Sequence, residues 1–220
     1  METQQNMFGT EGEYRINRIS NDTIIKTISY SQTEILSWII SLYCPNGFDL
    51  DPTYSKGNFY KVIPEPKYKF DLFPPAGIVP ANAGNLPVKS ESIETIMFDP
   101  PFLAGIEAKA PLGKMRKRFG RYRNIPELWA MYEKAMQEFY RVLKPQGVLV
   151  FKCQDTIDAG KQYFSHNKVY EIAERIGFYA KDLFVLLAEN RMIGKFHHKQ
   201  QHARKFHSYF WVFISKNGDK

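Results

Sequence analysis

Apolar residues recur at helical spacing in three segments of the chain, 31–44, 125–143 and 167–177. Residues three and four positions apart share one face of a helix, so each segment predicts a helix with a buried face. The first segment opens with Ser31 and Glu34, the spacing of a capping box at a helix start. The third ends at a glycine, the residue that most readily closes a helix.

Short apolar runs between these segments predict strands. They lie at 48–51, 68–73, 92–98, 148–153, 182–189 and 208–216. No helical pattern separates the last two runs, so we expect them to form an antiparallel pair at one side of the sheet. Elsewhere helices and strands alternate, which is typical of a parallel sheet. The pattern predicts an α/β fold with a mostly parallel sheet and an antiparallel C-terminal hairpin.

Length and composition predict a single domain over 1–220, with 1–25 as an N-terminal extension. A chain of 220 residues with 44% hydrophobic content is long enough to bury one α/β core. No apolar run approaches the length of a membrane span, and the first residues lack the basic and apolar regions of a signal peptide. We therefore expect a cytoplasmic protein without a membrane segment. Cys44 and Cys153, each in an apolar setting, are predicted to be buried thiols.

The positive charge is concentrated in two segments. The net charge is +7, and the excess lies in 103–125 and 190–207, where basic residues alternate with aromatic ones. This mixture suits phosphate neutralisation and base stacking, so both segments are predicted to be loops that bind nucleic acid. The side chains assigned to this role are Lys114, Arg116, Lys117, Arg118, Arg121, Arg123, Lys195, His198, Arg204 and Lys205. Solvated basic loops without a ligand are the alternative.

Three of the predicted strands have an acid at or near their C-terminal end, namely Asp51, Asp71 and Asp99. Ligands of open α/β sheets bind beyond the carboxyl ends of the strands, so these side chains are expected to converge on one site. A turn containing Gly57, an acid after the second strand and a polar residue after the third would suit a nucleoside. The chain has neither G-x-G-x-x-G nor G-x-x-x-x-G-K-[ST], which disfavours dinucleotides and triphosphates.

The chemistry is carried by Asp99, Pro100, Pro101 and Phe102. An exocyclic base amine is a poor nucleophile until acceptors hold its N–H bonds, which the Asp99 side chain and the Pro100 carbonyl can do. Two prolines fix the backbone that aims these groups, and Phe102 offers a face for stacking a flipped base. This tetrapeptide resembles the catalytic motif of the S-adenosylmethionine-dependent amino-methyltransferases of nucleic acids, particularly their small bacterial and bacteriophage members.

The resemblance extends over roughly 24–215 and implies a class I methyltransferase fold that binds S-adenosylmethionine. The stretch DPTYSKG resembles the family's cofactor motif Asp-Pro-Phe-x-Gly-x-Gly, with Ser55 where the first glycine usually stands. Asn82 stands where the family usually has an aspartate that contacts the cofactor's adenine. The resemblance assigns cofactor binding to Asp51, Pro52, Thr53, Gly57, Asp71, Asn82 and Leu86.

The resemblance implies direct methyl transfer to adenine N6, because Asp and Phe at the motif's ends are more typical of adenine enzymes than of cytosine N4 enzymes. DNA is favoured as substrate. An RNA adenine methyltransferase and a catalytically silent nucleic-acid-binding subunit stay open as alternatives. No metal is expected, because the histidines of 190–207 are irregularly spaced and have no acid or cysteine nearby. Little chain is left for reading base sequence, so a homodimer or a specificity partner is also considered.

Overall fold

The computed structural model describes residues 24–104, 122–189 and 201–216, and an eight-stranded sheet with helices on both faces dominates these residues. The helices are α1 (Gln32–Tyr43), α2 (Ile125–Val142) and α3 (Ser165–Ile176). The strands are β1 (Ile28–Ser29), β2 (Leu50–Asp51), β3 (Tyr68–Asp71), β4 (Val79–Pro80), β5 (Ile93–Phe98), β6 (Leu143–Cys153), β7 (Thr156–Asp158), β8 (Lys161–Tyr163), β9 (Phe178–Leu187) and β10 (His207–Ser215).

The strand order confirms the predicted class I methyltransferase sheet, mostly parallel with an antiparallel pair at the C-terminal end. The order is β1-β9-β10-β6-β5-β2-β3-β4. Strands β2 to β6 pair in parallel, whereas β10 runs antiparallel to both of its neighbours, β6 and β9. From β2 the chain moves outward through β3 and β4, and it then returns to the other side of β2 as β5. This reversal between β2 and β5 is a topological switch point, the place where such sheets bind ligands.

Strand β6 shows how the central sheet is buried on both faces. Leu149 and Phe151 pack into a core beneath α2 and α3, while Val148 and Val150 pack into a second core beneath α1. Successive side chains of a strand point to opposite faces, so a strand covered by helices on both sides needs apolar residues at nearly every position. The continuous apolar run that predicted this strand therefore reflects its central place in the sheet.

Local signals in the sequence explain where the helices begin and end. Ser31 caps α1 by accepting a hydrogen bond from the backbone N–H of Glu34, as predicted, although the Glu34 carboxylate binds the hydroxyl of Ser29. Asn124 caps α2 through its side-chain oxygen, which accepts from the N–H of Glu127. Helix α3 ends at Gly177 in the left-handed conformation, also as predicted.

Two features of the sheet differ from the sequence prediction. Strand β6 begins at Leu143, earlier than the predicted start at residue 148. Leu143 pairs with Ile93, and the next pair is Thr95 with Val148, so residues 144–147 form a turn between the two pairs. The turn keeps its tight shape, with Gln146 at a positive φ of 62°. The sequence prediction also lacked the antiparallel pair β7–β8, which forms a separate two-stranded sheet directly after β6.

Candidate functional site

A cavity of 420 Å³ opens at the switch point, beyond the carboxyl ends of β2, β3 and β5. Its volume lies within the usual range of about 300–1,000 Å³ for small-molecule sites. The described residues that line it are Gln32, Pro52, Thr53, Tyr54, Ser55, Asn58, Phe59, Asp71, Leu72, Phe73, Asn82, Ala83, Phe98, Asp99, Pro100, Pro101, Tyr122, Met131 and Lys152. The structure therefore brings together the predicted residues Pro52, Thr53, Asp71, Asn82, Asp99, Pro100 and Pro101.

Asp51, the last residue of β2, lies behind the cavity wall and is almost fully buried. One carboxylate oxygen accepts hydrogen bonds from the Thr53 backbone N–H at 2.7 Å and from the Thr53 hydroxyl at 2.9 Å. The other accepts from the Tyr60 hydroxyl at 2.8 Å. Burial raises the pKa of Asp51 to about 7, and these hydrogen bonds oppose the rise. Both oxygens of Asp51 are thus engaged in hydrogen bonds that shape the loop after β2.

Thr53 joins the predicted cofactor motif to the predicted catalytic motif. Its hydroxyl donates to Asp51 and also accepts a hydrogen bond of 2.9 Å from the backbone N–H of Asp99. The chain of hydrogen bonds therefore runs from the end of β2 to the first residue after β5. Thr53 stands where the family motif has phenylalanine, so this link comes from a residue by which the chain departs from the pattern.

The loop after β2 keeps two left-handed residues. Ser55 has a φ of 53° and Gly57 a φ of 65°, a region that residues with a Cβ rarely adopt. A Cβ on Gly57 would also lie only 2.8 Å from Cζ of Tyr54, whose ring stacks on Tyr60. Gly57 is needed for both reasons, although it packs behind the described lining of the cavity. At Ser55 the backbone adopts a glycine-like conformation without a glycine.

Asp71 and Asn82 lie on the side of the cavity formed by β3 and the segment after β4. Asp71 is half-buried, and one of its oxygens accepts from the Phe73 backbone N–H at 2.8 Å. Asn82 is exposed, and its side-chain oxygen accepts from the Gly84 backbone N–H at 2.9 Å. A carbonyl oxygen has two lone pairs, so this oxygen can accept a second hydrogen bond. Both side chains are held in place and reach the cavity.

Asp99 presents a carboxylate with one oxygen lacking a partner. Its Oδ1 is shielded from solvent and accepts no hydrogen bond from the described residues, while the side chain as a whole is 27% exposed. The Nζ of Lys152 lies 3.6 Å from this oxygen, an ion-pair distance that is too long for a hydrogen bond. Burial raises the pKa of Asp99, and the charge of Lys152 lowers it. Asp99 thus lines the cavity with one of its oxygens shielded beside Lys152.

A hydrogen bond from α2 holds the backbone of the predicted catalytic motif. Tyr132, fully buried on that helix, donates a hydrogen bond of 2.5 Å from its hydroxyl to the carbonyl of Pro101. Its ring packs edge to face against Phe151 of β6, so the hydroxyl has a fixed position. Pro100 is buried and Pro101 half-buried in the cavity wall. Phe102, predicted to stack on the base, is half-buried and lies outside the described cavity lining.

Leu86 is placed in the core beneath α2 and does not reach the cavity within the described part of the chain. Its backbone N–H donates to the Glu138 carboxylate at 2.7 Å. Arg141 pairs with Glu138 and donates to the carbonyl of Val88 at 3.0 Å. These bonds fasten the segment after β4 to α2. Asn82 belongs to the same segment, so Leu86 helps to fix its position.

Most of the side chains predicted to contact nucleic acid lie outside the described residues. They are Lys114, Arg116, Lys117, Arg118, Arg121, Lys195 and His198. Arg123 is described, and its side chain is 82% exposed beside Glu127 at the start of α2. Arg204 is exposed, and Lys205 is half-buried with its Nζ donating to the carbonyl of Ala203.

Sequence reasoning missed three residues that shape the site. Tyr132 was predicted only as a core residue, Lys152 only as part of a strand, and Gln32 only as part of a helix. Lys152 carried a signal, since a lysine inside an otherwise apolar strand close to its carboxyl end is expensive to bury. Tyr132 and Gln32 carried none, because only the packing of α1 and α2 brings them to the cavity.

Two other features are absent from the described residues. Across 24–104, 122–189 and 201–216, no helix is long and apolar enough to cross a membrane. The same residues contain no group of three or more His, Cys, Asp or Glu side chains arranged to hold a metal ion.

No protein-family model and no curated protein sequence matches the chain. Among solved structures, a candidate DNA modification methylase from Thermus thermophilus, complexed with S-adenosyl-L-methionine, aligns at 14% identity over 63% of this chain and 54% of that one, with a TM-score of 0.44. The cytosine-N4-specific PvuII DNA methyltransferase aligns at 17% identity over 59% of this chain and 44% of its own, also with a TM-score of 0.44. A methyltransferase from Methanosarcina mazei aligns at 12% identity over 63% and 66%, with a TM-score of 0.37.

The aligned regions cover about half of the first two structures. Identities below 20% and TM-scores below 0.5 support no conclusion about activity or substrate. Any function of this chain therefore has to follow from its own residues.

Proposed function

We propose that the protein is an S-adenosylmethionine-dependent methyltransferase that acts on the exocyclic amine of a nucleic-acid base, with adenine N6 in DNA as the favoured target. The proposal is carried by the position of Asp99. This carboxylate follows the strand at the switch point and shares one cavity with Asp71 and Asn82. An acceptor for the amine and residues suited to a nucleoside cofactor therefore lie within reach of one another.

The cofactor assignment is supported by the chemistry of the residues around the β3 side of the cavity. Asp71 at the end of β3 is suited to the ribose hydroxyls, and Asn82 can accept from the adenine amine. The side chains of Leu72 and Phe73 add apolar surface for the adenine ring. S-adenosylmethionine would supply an electrophilic methyl group on its sulfonium. Asp51 would act indirectly, through the shape of the loop that it holds.

The catalytic assignment is supported by the hydrogen-bonding state of Asp99. The lone pair of an exocyclic amine is delocalised into the base, so acceptors must hold the N–H bonds to make the nitrogen reactive. Asp99 lines the cavity with Oδ1 beside Lys152, so its second oxygen can accept from an N–H group, while Tyr132 and the two prolines fix the adjoining backbone. A preorganised acceptor of this kind is the main contribution that a protein makes to such a transfer.

A nucleic acid is proposed as substrate because of the charge distribution. The basic segments 103–125 and 190–207 flank the catalytic motif and β10 in the sequence, and Tyr122 at the end of the first segment lines the cavity. Lysine and arginine neutralise phosphates, and an aromatic ring beside the cavity suits a base turned out of its stack. DNA is preferred to RNA because the motif resembles small bacterial and bacteriophage DNA enzymes.

The silent binding subunit is less well supported by the geometry. Two departures from the family's cofactor residues, Ser55 and Asn82, are the features that favour such a subunit. Ser55 keeps the left-handed backbone that a glycine would provide, and the Asn82 oxygen still reaches the cavity. Asp99 keeps an acceptor without a partner among the described residues, which a subunit without activity has no need to maintain.

The test is transfer of labelled methyl from S-adenosylmethionine to unmodified double-stranded DNA, single-stranded DNA and total RNA, with identification of the modified nucleoside. N6-methyladenine in DNA, lost in Asp99→Ala, is expected. The same nucleoside in RNA alone would replace the DNA assignment, and N4-methylcytosine would replace the adenine assignment. Binding of the cofactor without transfer to any of the three pools would overturn the proposed activity.

A further inference from the structure

Lys152 is the only basic residue among the described residues that line the cavity. It lies on β6, one residue before the strand ends, and its side chain is 12% exposed. An ammonium group this far from water is costly unless nearby groups stabilise its charge. The surroundings of Lys152 therefore indicate what it is placed to do.

Three kinds of contact hold the ammonium in position. The Nζ donates to the side-chain oxygen of Gln32 at 3.0 Å, and it lies 4.9 Å from the ring centre of Phe59 and 5.5 Å from that of Phe210. Both ring distances are within the range of a cation–π interaction. These contacts are neutral, so Asp99 at 3.6 Å supplies the counter-charge among the described residues.

Asp99 in turn faces no other cation from the described elements packed around it. Asp51 at the end of β2, Tyr60 in the following loop and Tyr132 on α2 all interact electrostatically with Asp99. Deprotonation of any of these three groups adds negative charge, and helix α1 contributes only the neutral Gln32. Lys152 is therefore the group that offsets the cost of keeping Asp99 charged, since burial raises the pKa of that carboxyl and Lys152 lowers it.

The ion pair involves one particular oxygen of Asp99, Oδ1. Because Oδ1 of Asp99 is shielded from solvent and lies against Lys152, the exposed part of the carboxylate belongs to its other atoms, including Oδ2. A carboxylate held at one oxygen by a fixed charge has a restricted side-chain rotation. The second oxygen is then available to an N–H group in the cavity.

We propose that Lys152 is a positioning residue that keeps Asp99 in its carboxylate form and turns it toward the amine of the substrate. This role rests on the proposed methyltransferase function, but the link between the two side chains does not. An ionised carboxylate is a stronger acceptor than a neutral acid and carries no proton that would compete for the amine lone pair. Lys152 would thereby set the lower pH limit of the reaction.

The test measures Asp99 directly, without turnover. The carboxyl carbon of Asp99 is followed by NMR during a pH titration of protein labelled with ¹³C at aspartate, and Asp99→Asn identifies its signal. In Lys152→Met the titration midpoint should rise by about one to three pH units, the usual effect of an opposite charge at this distance. Lys152→Gln provides a second neutral variant that can still bond Gln32, and Lys152→Arg should keep most of the wild-type midpoint.

A matched control comes from the same strand. Lys144 lies near the amino end of β6, at the opposite end of the strand from Lys152, where its Nζ pairs with Glu94 at 2.7 Å. Lys144→Met should therefore leave the Asp99 midpoint unchanged. Thermal unfolding of every variant shows whether the fold is retained.

Activity provides a separate readout. In Lys152→Met, the acidic limb of the kcat/KM profile should move to higher pH together with the NMR midpoint. An Asp99 midpoint that stays within about 0.3 pH units of wild type in both neutral variants would overturn the proposal. A tenfold loss of S-adenosylmethionine affinity without movement of that midpoint would also overturn it and make Lys152 a cofactor ligand. If wild type transfers no methyl group, the proposed function fails, and the NMR result still decides whether Lys152 controls Asp99.

Discussion

Two aspartates at the carboxyl ends of the neighbouring strands β2 and β5, Asp51 and Asp99, differ in their hydrogen bonding. Asp51 accepts three hydrogen bonds from Thr53 and Tyr60 and is 1% exposed. Asp99 follows β5, the strand beside β2, and has an oxygen that accepts none from the described residues. The same residue type at the ends of neighbouring strands thus has both oxygens hydrogen-bonded in one place and an oxygen without a hydrogen bond from the described residues in the other.

This difference distinguishes a structural role from a binding role. A carboxylate whose two oxygens both accept hydrogen bonds within the protein contributes to the free energy of unfolding and has little capacity left for a ligand. An unsatisfied one in a cavity costs stability and keeps its capacity for a partner that arrives later. We therefore expect Asp51 to shape the loop and Asp99 to contact the proposed substrate, and each expectation can be tested by a substitution.

Alanine substitution should affect methyl transfer more at Asp99 and the free energy of unfolding more at Asp51. Asp99→Ala should lower methyl transfer by at least ~10²-fold, by analogy with the loss of one group that stabilises a transition state. It should lower the free energy of unfolding by less than Asp51→Ala does, because loss of the counter-charge of Lys152 is partly offset by removal of a shielded oxygen that accepts no hydrogen bond from the described residues. Asp51→Ala should destabilise by about 3 kcal/mol, because it leaves the buried Tyr60 hydroxyl without its acceptor. Urea denaturation and methyl-transfer assays measure both effects.

Equal losses of stability in the two alanine variants would contradict the division between them. Full activity in Asp99→Ala at unchanged stability would contradict the catalytic assignment alone.

The pH dependence of stability should report Asp51. Burial raises its pKa from 3.8 to about 7, so between pH 4 and pH 7 the folded protein holds a proton that the unfolded chain has released. The free energy of unfolding should therefore fall as pH rises through this window, by an amount on the order of a few kcal/mol. Asp51→Asn lacks this titration and serves as the reference. A difference between the two proteins that stays constant from pH 4 to 8 would show that Asp51 is ionised throughout.

Thr53 connects the two aspartates, and its hydroxyl can be removed with little change in shape. Thr53→Val loses both the bond to Asp51 and the bond from the Asp99 N–H, which should destabilise by about 1–2 kcal/mol. Methyl transfer should fall more than this loss of stability explains, because the backbone at Asp99 is released. Thr53→Ser keeps the hydroxyl and should restore both properties. If Thr53→Val lowers stability without lowering activity, the Thr53 hydroxyl stabilises the loop but does not position Asp99 for methyl transfer.

Much of the fold was predicted from residues whose structural role is determined by their near neighbours in the sequence. The apolar runs of β5 and β6, the Ser31 cap and Gly177 each act within a few positions of the sequence, so they were predicted correctly. Asp51, Asp71 and Asp99 converge because parallel strands end at a common edge, which is a general rule of such sheets. The short strands β7 and β8 carry no comparable apolar run and were not predicted.

The rest of the site depends on distant packing. Tyr132 reaches Pro101 from 31 positions away, and Gln32 reaches Lys152 from 120 positions away. No spacing rule predicts such contacts, because they follow from how α1 and α2 lie on the sheet. Ser55 is intermediate, since the sequence marked it as a departure from the cofactor motif but could not show its backbone conformation.

Ser55 gives the smallest expected effect and the finest test of the loop that Asp51 holds. A residue with a Cβ in the left-handed region costs about 1–2 kcal/mol, and the extra backbone entropy of glycine offsets about half of that gain. Ser55→Gly should therefore stabilise the protein by about 0.5 kcal/mol and leave S-adenosylmethionine affinity within about twofold. Ala159→Gly, at a φ of 48° in the turn between β7 and β8, is a matched substitution outside the cavity lining. If Ala159→Gly stabilises and Ser55→Gly does not, the serine side chain makes a contact that compensates for its strained backbone, and the loop depends on more than the bonds to Asp51.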